Sequence, residues 1–243
     1  MSATTGSPTR PARRHLVGFD TYTLVFGLVY AALATNIALV VAGAPLVVAL
    51  VTTDPARSWP VLALVAPLAA PGLVAAFTVF DAFSADSTAP ILRTFWRAWR
   101  RCFRKALAVA AIVVAGVVVT AVDVRAVWDM RIGALAVPVF VVLAVLSAVT
   151  GLYALVLLAA RPDARLRDLL RVGLFLSVRR WYLTAFSAVA LSLWLALFAA
   201  KPALALGLAA APLLYVVWAN TRFAARPALG APRDERDGAA VAR

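Results

Sequence analysis

Residues 90–122 read PILRTFWRAWRRCFRKALAVAAIVVAGVVVTAV, sixteen positions dense in arginine and aromatic side chains followed by seventeen without a charge. A helix that crosses a hydrocarbon core of roughly 30 Å needs about 20 apolar residues. The second half of this stretch, Ala106 to Val122, is therefore read as a membrane span, and the first half as its basic approach. Five more uncharged stretches lie outward from it: Tyr22 to Val51, Pro60 to Phe80, Ile132 to Ala160, Trp181 to Ala200 and Pro202 to Asn220. Backbone groups in lipid must be satisfied within a helix or a closed barrel. Continuous Leu, Ala and Val runs without period-two alternation exclude the barrel.

The expected fold is all-α, a polytopic helical bundle of about six transmembrane helices with one or two cytoplasmic amphipathic helices. Composition agrees, with 64% hydrophobic and 14% charged residues, far from the balance of a soluble domain. Residues 1–18 read as a basic tail, 19–222 as the membrane domain and 223–243 as a polar, disordered tail. Gly43-Ala44-Pro45 and Pro138 predict kinks or tilts in the two longest stretches. Lys201-Pro202 predicts a tight hairpin between the last two spans. The first stretch is too long and lacks the small-residue site of a cleaved signal peptide, so it reads as a retained anchor.

Orientation follows from lysine and arginine in the connections. The amino-terminal tail, residues 81–105, residues 161–180 and the carboxy-terminal tail hold 20 of 24 basic residues. Only Arg57, Arg125, Arg131 and Lys201 fall on the other side. Both termini are expected in the cytoplasm. The excess of arginine over lysine, 22 to 2, with abundant alanine, points to a high-GC bacterial genome and hence to a bacterial inner membrane. The formal charge of +13 suits anionic headgroups beside the spans. Nucleic acid is not an expected partner.

At 100° per residue, Leu92, Phe95, Trp96, Trp99, Cys102 and Phe103 gather on one face of the 90–105 segment. Arg93, Arg97, Arg100, Arg101 and Arg104 gather on the other. Thr88 is a candidate cap and Pro90 suits a first turn. An interfacial anchor is the blander reading; a docking surface for a cytoplasmic partner is the sharper one. On that sharper reading the contact residues are Phe95, Trp96, Arg97, Trp99, Arg100, Arg101, Phe103 and Arg104. A weaker amphipathic helix begins near Asp163, read as its cap, and brings Arg165, Arg167 and Arg171. Together the two could form a platform.

The chemistry of catalysis is absent. No phosphate-binding Gly-rich loop occurs, His15 is the single histidine, and Cys102 the single cysteine. No metal or cofactor is expected, and Cys102 reads as a small apolar filler rather than a reactive thiol. The six stretches contain no ionisable side chain of the kind that proton-coupled carriers use. Among their neutral polar residues Asn36 stands out, because an amide in lipid must find partners. An interhelical hydrogen bond is the favoured reading and substrate contact the alternative. Pro67, Pro71, Gly72, Gly116 and Gly151 read as helix-packing positions.

Thr35-Asn36-Ile37, the second span from Pro67 through Pro71-Gly72 to Phe77, and the run from Thr94 to Phe103 together resemble the YesL-like family of bacterial membrane proteins, over residues 20–220. That family has no established function. The resemblance implies a role beside carbohydrate uptake, and supplies no catalytic residues. The expected function is a non-enzymatic accessory membrane protein, with lipid, sugar-importer subunits and a second copy of the chain as partners. The alternative is a transporter subunit energised by a separate ATPase, and a membrane enzyme ranks third.

Overall fold

In the computed structural model, residues 17–54, 57–86, 88–130, 133–179 and 210–229 are described, with isolated positions between 180 and 209. All regular structure among them is helical. The expected span Trp181 to Ala200, the Lys201-Pro202 turn and both tail ends lie outside the described residues.

The first long stretch divides where proline and glycine require it. Helix α1 is Val17–Ala42 and α2 is Ala44–Thr52, and their axes bend by 70°. Pro45 has no N–H to give to the preceding turn. Gly43 closes α1 through its N–H to Leu39 O at 2.8 Å, and its own carbonyl accepts from Leu46 and Val47 at 2.9 and 3.0 Å. The expected kink is present. The second stretch is also interrupted: α3, Trp59–Val65, passes through a 3₁₀ turn at Ala66–Ala69 into α4, Ala70–Ala85. Pro67 lies in the tight turn and Pro71 in the first turn of α4, where a missing N–H does no harm.

Helix α5 runs unbroken from Ile91 to Val127, about 55 Å at 1.5 Å per residue. The amphipathic segment and the third span, read as successive elements in the sequence, are one rod. No glycine or proline occurs between Ile91 and Ala115 to end it. Helix α6, Gly133–Ala160, continues through Pro138. It packs closely against α5 because small residues permit the approach: a Cβ on Gly116 would stand 2.9 Å from Ser147 Oγ, and one on Gly151 2.5 Å from Val113 Cγ2.

The second basic element is helix α7, Leu166–Arg179, which turns back along α6. Gly173 sits where a Cβ would come within 2.9 Å of the Thr150 carbonyl oxygen. Thr150 Oγ1 and Ser177 Oγ share a hydrogen bond at 3.3 Å. Helix α8, Ala210–Leu229, packs against α1, α4 and α6 and continues beyond residue 222, the expected end of the membrane domain.

Burial is uneven along the rods. Phe77, Phe95, Tyr153 and Leu158 are fully enclosed, and every residue of α6 from Val149 to Ala159 is buried. Further along, Ile112, Val119 and Val122 of α5 and Leu135, Val139 and Val142 of α6 point outward. Apolar side chains on the outside are costly in water and natural in lipid. Among the described residues, Trp59–Ala85, Ile91–Val127 and Gly133–Ala160 are long and apolar enough to cross a membrane, and the bent α1/α2 pair makes a fourth if it counts as one span.

Replacing Gly173 with Ala should separate α6 from α7, because the new methyl meets backbone rather than a mobile side chain. The expected loss is about 1–3 kcal/mol, read as a lowered Tm in detergent. Gly27→Ala, with open space around the added methyl, should be neutral or mildly stabilising.

Candidate functional site

The first four turns of α5 divide their residues sharply. Ile91, Phe95, Ala98 and Cys102 point inward, with exposures of 7% or less. Trp96, Trp99 and Phe103 are half-buried along the flank. They form a ladder with Phe95, with ring centroids 5.4, 5.5 and 5.0 Å apart in edge-on pairs, the arrangement that aromatic quadrupoles favour. Arg93, Arg97, Arg100, Arg101 and Arg104 are exposed. The aromatic face that the sequence offers to lipid or to a partner is therefore mostly occupied by the chain's own core. Phe95 is wholly inside, and Cys102, 3% exposed, is core packing.

The rod is fixed to the α6–α7 turn by its cations. Lys105 Nζ donates to the carbonyl oxygens of Pro162 and Ala164 at 2.6 and 3.0 Å. One helical turn earlier, Arg101 Nη2 donates to both carboxylate oxygens of Asp163 at 3.1 Å. Asp163 thus serves Arg101 rather than capping α7, which starts beyond it at Leu166 and whose Asp168 and Leu169 N–H groups donate to the Arg165 carbonyl. The two basic elements do meet, at this turn. Among the described residues, Arg93, Arg97, Arg100 and Arg104 form no salt bridge. They make one cationic ridge at helical spacing.

Thr88 does not cap α5. Its N–H and hydroxyl both donate to Asp86 Oδ1, at 2.9 and 2.7 Å, and Pro90 occupies the cap position without a side-chain bond. These bonds lower the Asp86 carboxyl from its ordinary value. The ordering they give to the approach is present at neutral pH and lost as pH falls through the lowered value.

Asn36 is 2% exposed, and its Oδ1 accepts from the Ala211 N–H of α8 at 2.7 Å. This bond joins α1 to α8. It lies apart from the arginine ridge.

One constellation escaped the sequence reading. Charge counting places Asp81 at the start of a cytoplasmic connection; in the structure it continues α4 and faces α8. Its Oδ1 accepts from Trp218 Nε1 at 3.2 Å and pairs with Arg222, whose guanidinium lies 5.4 Å over the Trp218 ring. Phe80 packs edge-on to Tyr215 and Trp218 beside them. The available signal was an acidic residue directly after an apolar run and a Trp–Arg pair four apart near the end of the last one. Nothing local links positions 137 residues apart. Among the described residues no cluster of His, Cys, Asp and Glu could hold a metal ion.

The class defined by these features is a helical bundle whose longest helices suit a bilayer. A family described as "Protein of unknown function, DUF624" matches residues 33–124, from the second half of α1 to near the end of α5. That range contains Asn36, the Pro67–Gly72 region and the arginine-aromatic segment. No curated protein and no solved structure matches the chain.

Asp81→Ala should lower stability by about 1–2 kcal/mol, discounted for partial exposure of the pair. A double-mutant cycle with Arg222→Ala should return a coupling energy above about 0.5 kcal/mol. Lys105→Met should weaken the α5 attachment by about 1–2 kcal/mol and increase protease cleavage at residues 161–165. Unchanged cleavage would remove Lys105 from that role.

Proposed function

We propose that the chain is a six-span protein of a bacterial inner membrane, with both termini and the arginine ridge in the cytoplasm, and that it acts as a non-enzymatic accessory subunit of a membrane complex. The ridge is its contact surface. The observation that supports this reading most is the division of α5: the apolar side of its first four turns is packed inside the chain, while Arg93, Arg97, Arg100 and Arg104 remain outside, without carboxylate partners among the described residues. A helix that only rests on a bilayer would direct its aromatic face into the headgroup region. Here that face meets α4 and α6, and what is left outside suits an acidic segment of another protein. The Lys105 contacts hold the helix that carries the ridge, so the freedom lost on docking is mainly that of the arginine side chains.

The resemblance to the YesL-like family makes sugar-importer subunits the first partners to test. Mild-detergent purification from native membranes, with a photo-crosslinking residue at position 97 or 100, should capture a subunit of such an importer. Replacing Arg97, Arg100 and Arg104 together with Gln should weaken that association by at least about tenfold, with protease protection of the termini compared against the parent protein to separate lost docking from altered orientation. Undiminished association would contradict the proposal. Phe95→Ala is a poor probe of docking, since a fully buried ring lost to a cavity costs about 3–5 kcal/mol in its own right.

A further inference from the structure

Helices α1, α4 and α8 leave between them a cleft of about 360 Å³. Its walls include Ala31 and Ala32 of α1, Phe80 and Phe83 of α4, and Pro212 and Tyr215 of α8. The hollow arises because two alanines present only methyl groups where the opposing helices bring rings. Its lining offers one hydroxyl, from Tyr215, and is otherwise apolar, so water has almost nothing to bind there. The volume lies in the range of small-molecule sites, about 300–1,000 Å³.

One end of the cleft is polar. Phe80 and Tyr215 lie against Trp218, with centroids 6.0 and 5.1 Å away, and Trp218 leads to the Asp81–Arg222 pair. Tyrosine, tryptophan and arginine at the end of an apolar span are the side chains that meet lipid headgroups. The Arg222 side chain is 42% exposed. A guanidinium has five N–H donors, so after the contact from Nη1 to Asp81 it retains donors suited to phosphate oxygens.

We infer that the cleft is a phospholipid site, with one acyl chain between α1, α4 and α8 and the headgroup phosphate at Arg222. The apolar cavity selects the chain and the adjacent cation selects the phosphate. A smaller apolar hollow of about 250 Å³ lies between α5, α6 and α7, lined by Ile112, Leu143, Leu146 and Leu174 among others, whereas Val119, Val139 and Val142 present single exposed side chains.

The test uses the full-length protein in phosphatidylcholine vesicles containing trace phosphatidylethanolamine with a diazirine on its acyl chain. Labelling should map by mass spectrometry to α1, α4 and α8 at the cleft. Ala32→Phe, which fills it, should reduce that labelling about tenfold, whereas Val119→Phe on the outer face of α5 should leave it unchanged. Val216→Trp, from the opposite wall, serves the same purpose if Ala32→Phe does not yield folded protein. A diazirine-bearing diacylglycerol with the same chains, lacking phosphate, should label the cleft several-fold less than the phospholipid. Labelling spread evenly over the exposed faces, unaffected by either filling variant, or equal for both lipids would overturn the inference.

Discussion

Burial of the apolar side of α5 against α4 and α6 is the interaction on which the remaining structure depends. Phe95, Ala98, Cys102, Ala106 and Val109 follow one another along one face at exposures of 7% or less. Once they are inside, the positions of the other groups are determined. The arginines between them must point outward, because burying an unpaired guanidinium costs several kcal/mol. The tryptophans at the margin become half-buried. Helix α6 approaches closely because Gly116 and Gly151 remove side chains from the crossing, and α7 folds back against α6 through Gly173 in the same way.

Among the described residues, several polar interactions join the helices, some of them inside the bundle. In an apolar surrounding a hydrogen bond has little competition from water. Asn36 to Ala211, Thr150 to Ser177 and Asp81 to Trp218 and Arg222 join α1 to α8, α6 to α7 and α4 to α8. The Lys105 and Arg101 contacts close the basic end. Packing supplies proximity, and these bonds supply register.

Several helices and one bend were legible in local sequence, while three helices among the described residues, or four with the bent pair, are long and apolar enough to cross a membrane, against six expected. Uncharged runs locate the helices around Pro60–Phe80, Ala106–Val122 and Ile132–Ala160; Gly43 and Pro45 mark the bend; and the period of arginine and aromatic residues identifies the two faces of α5. Pattern alone left open which surroundings the apolar face of α5 would meet, because lipid and protein reward the same residues. It also assigned Thr88 and Asp163 to helix caps by local preference, whereas both engage other partners: Thr88 bonds Asp86 and Asp163 bonds Arg101. The Asp81–Arg222 pair and the cleft beside it depend on helices distant in sequence. Asn36 was recognisable as a residue needing a partner, but Ala211 was not recognisable as that partner.

Spin-label accessibility along α5 tests the central claim most directly. Cys102 is the only cysteine, so a Cys102→Ala background allows single labels at positions 93, 95, 97, 98, 100 and 104 in lipid vesicles. Labels at 95 and 98 should be shielded from both oxygen and a water-soluble nickel complex, and labels at 93, 97, 100 and 104 should be open to nickel. High oxygen access with low nickel access at 95 and 98 would place the apolar face in lipid and contradict the account.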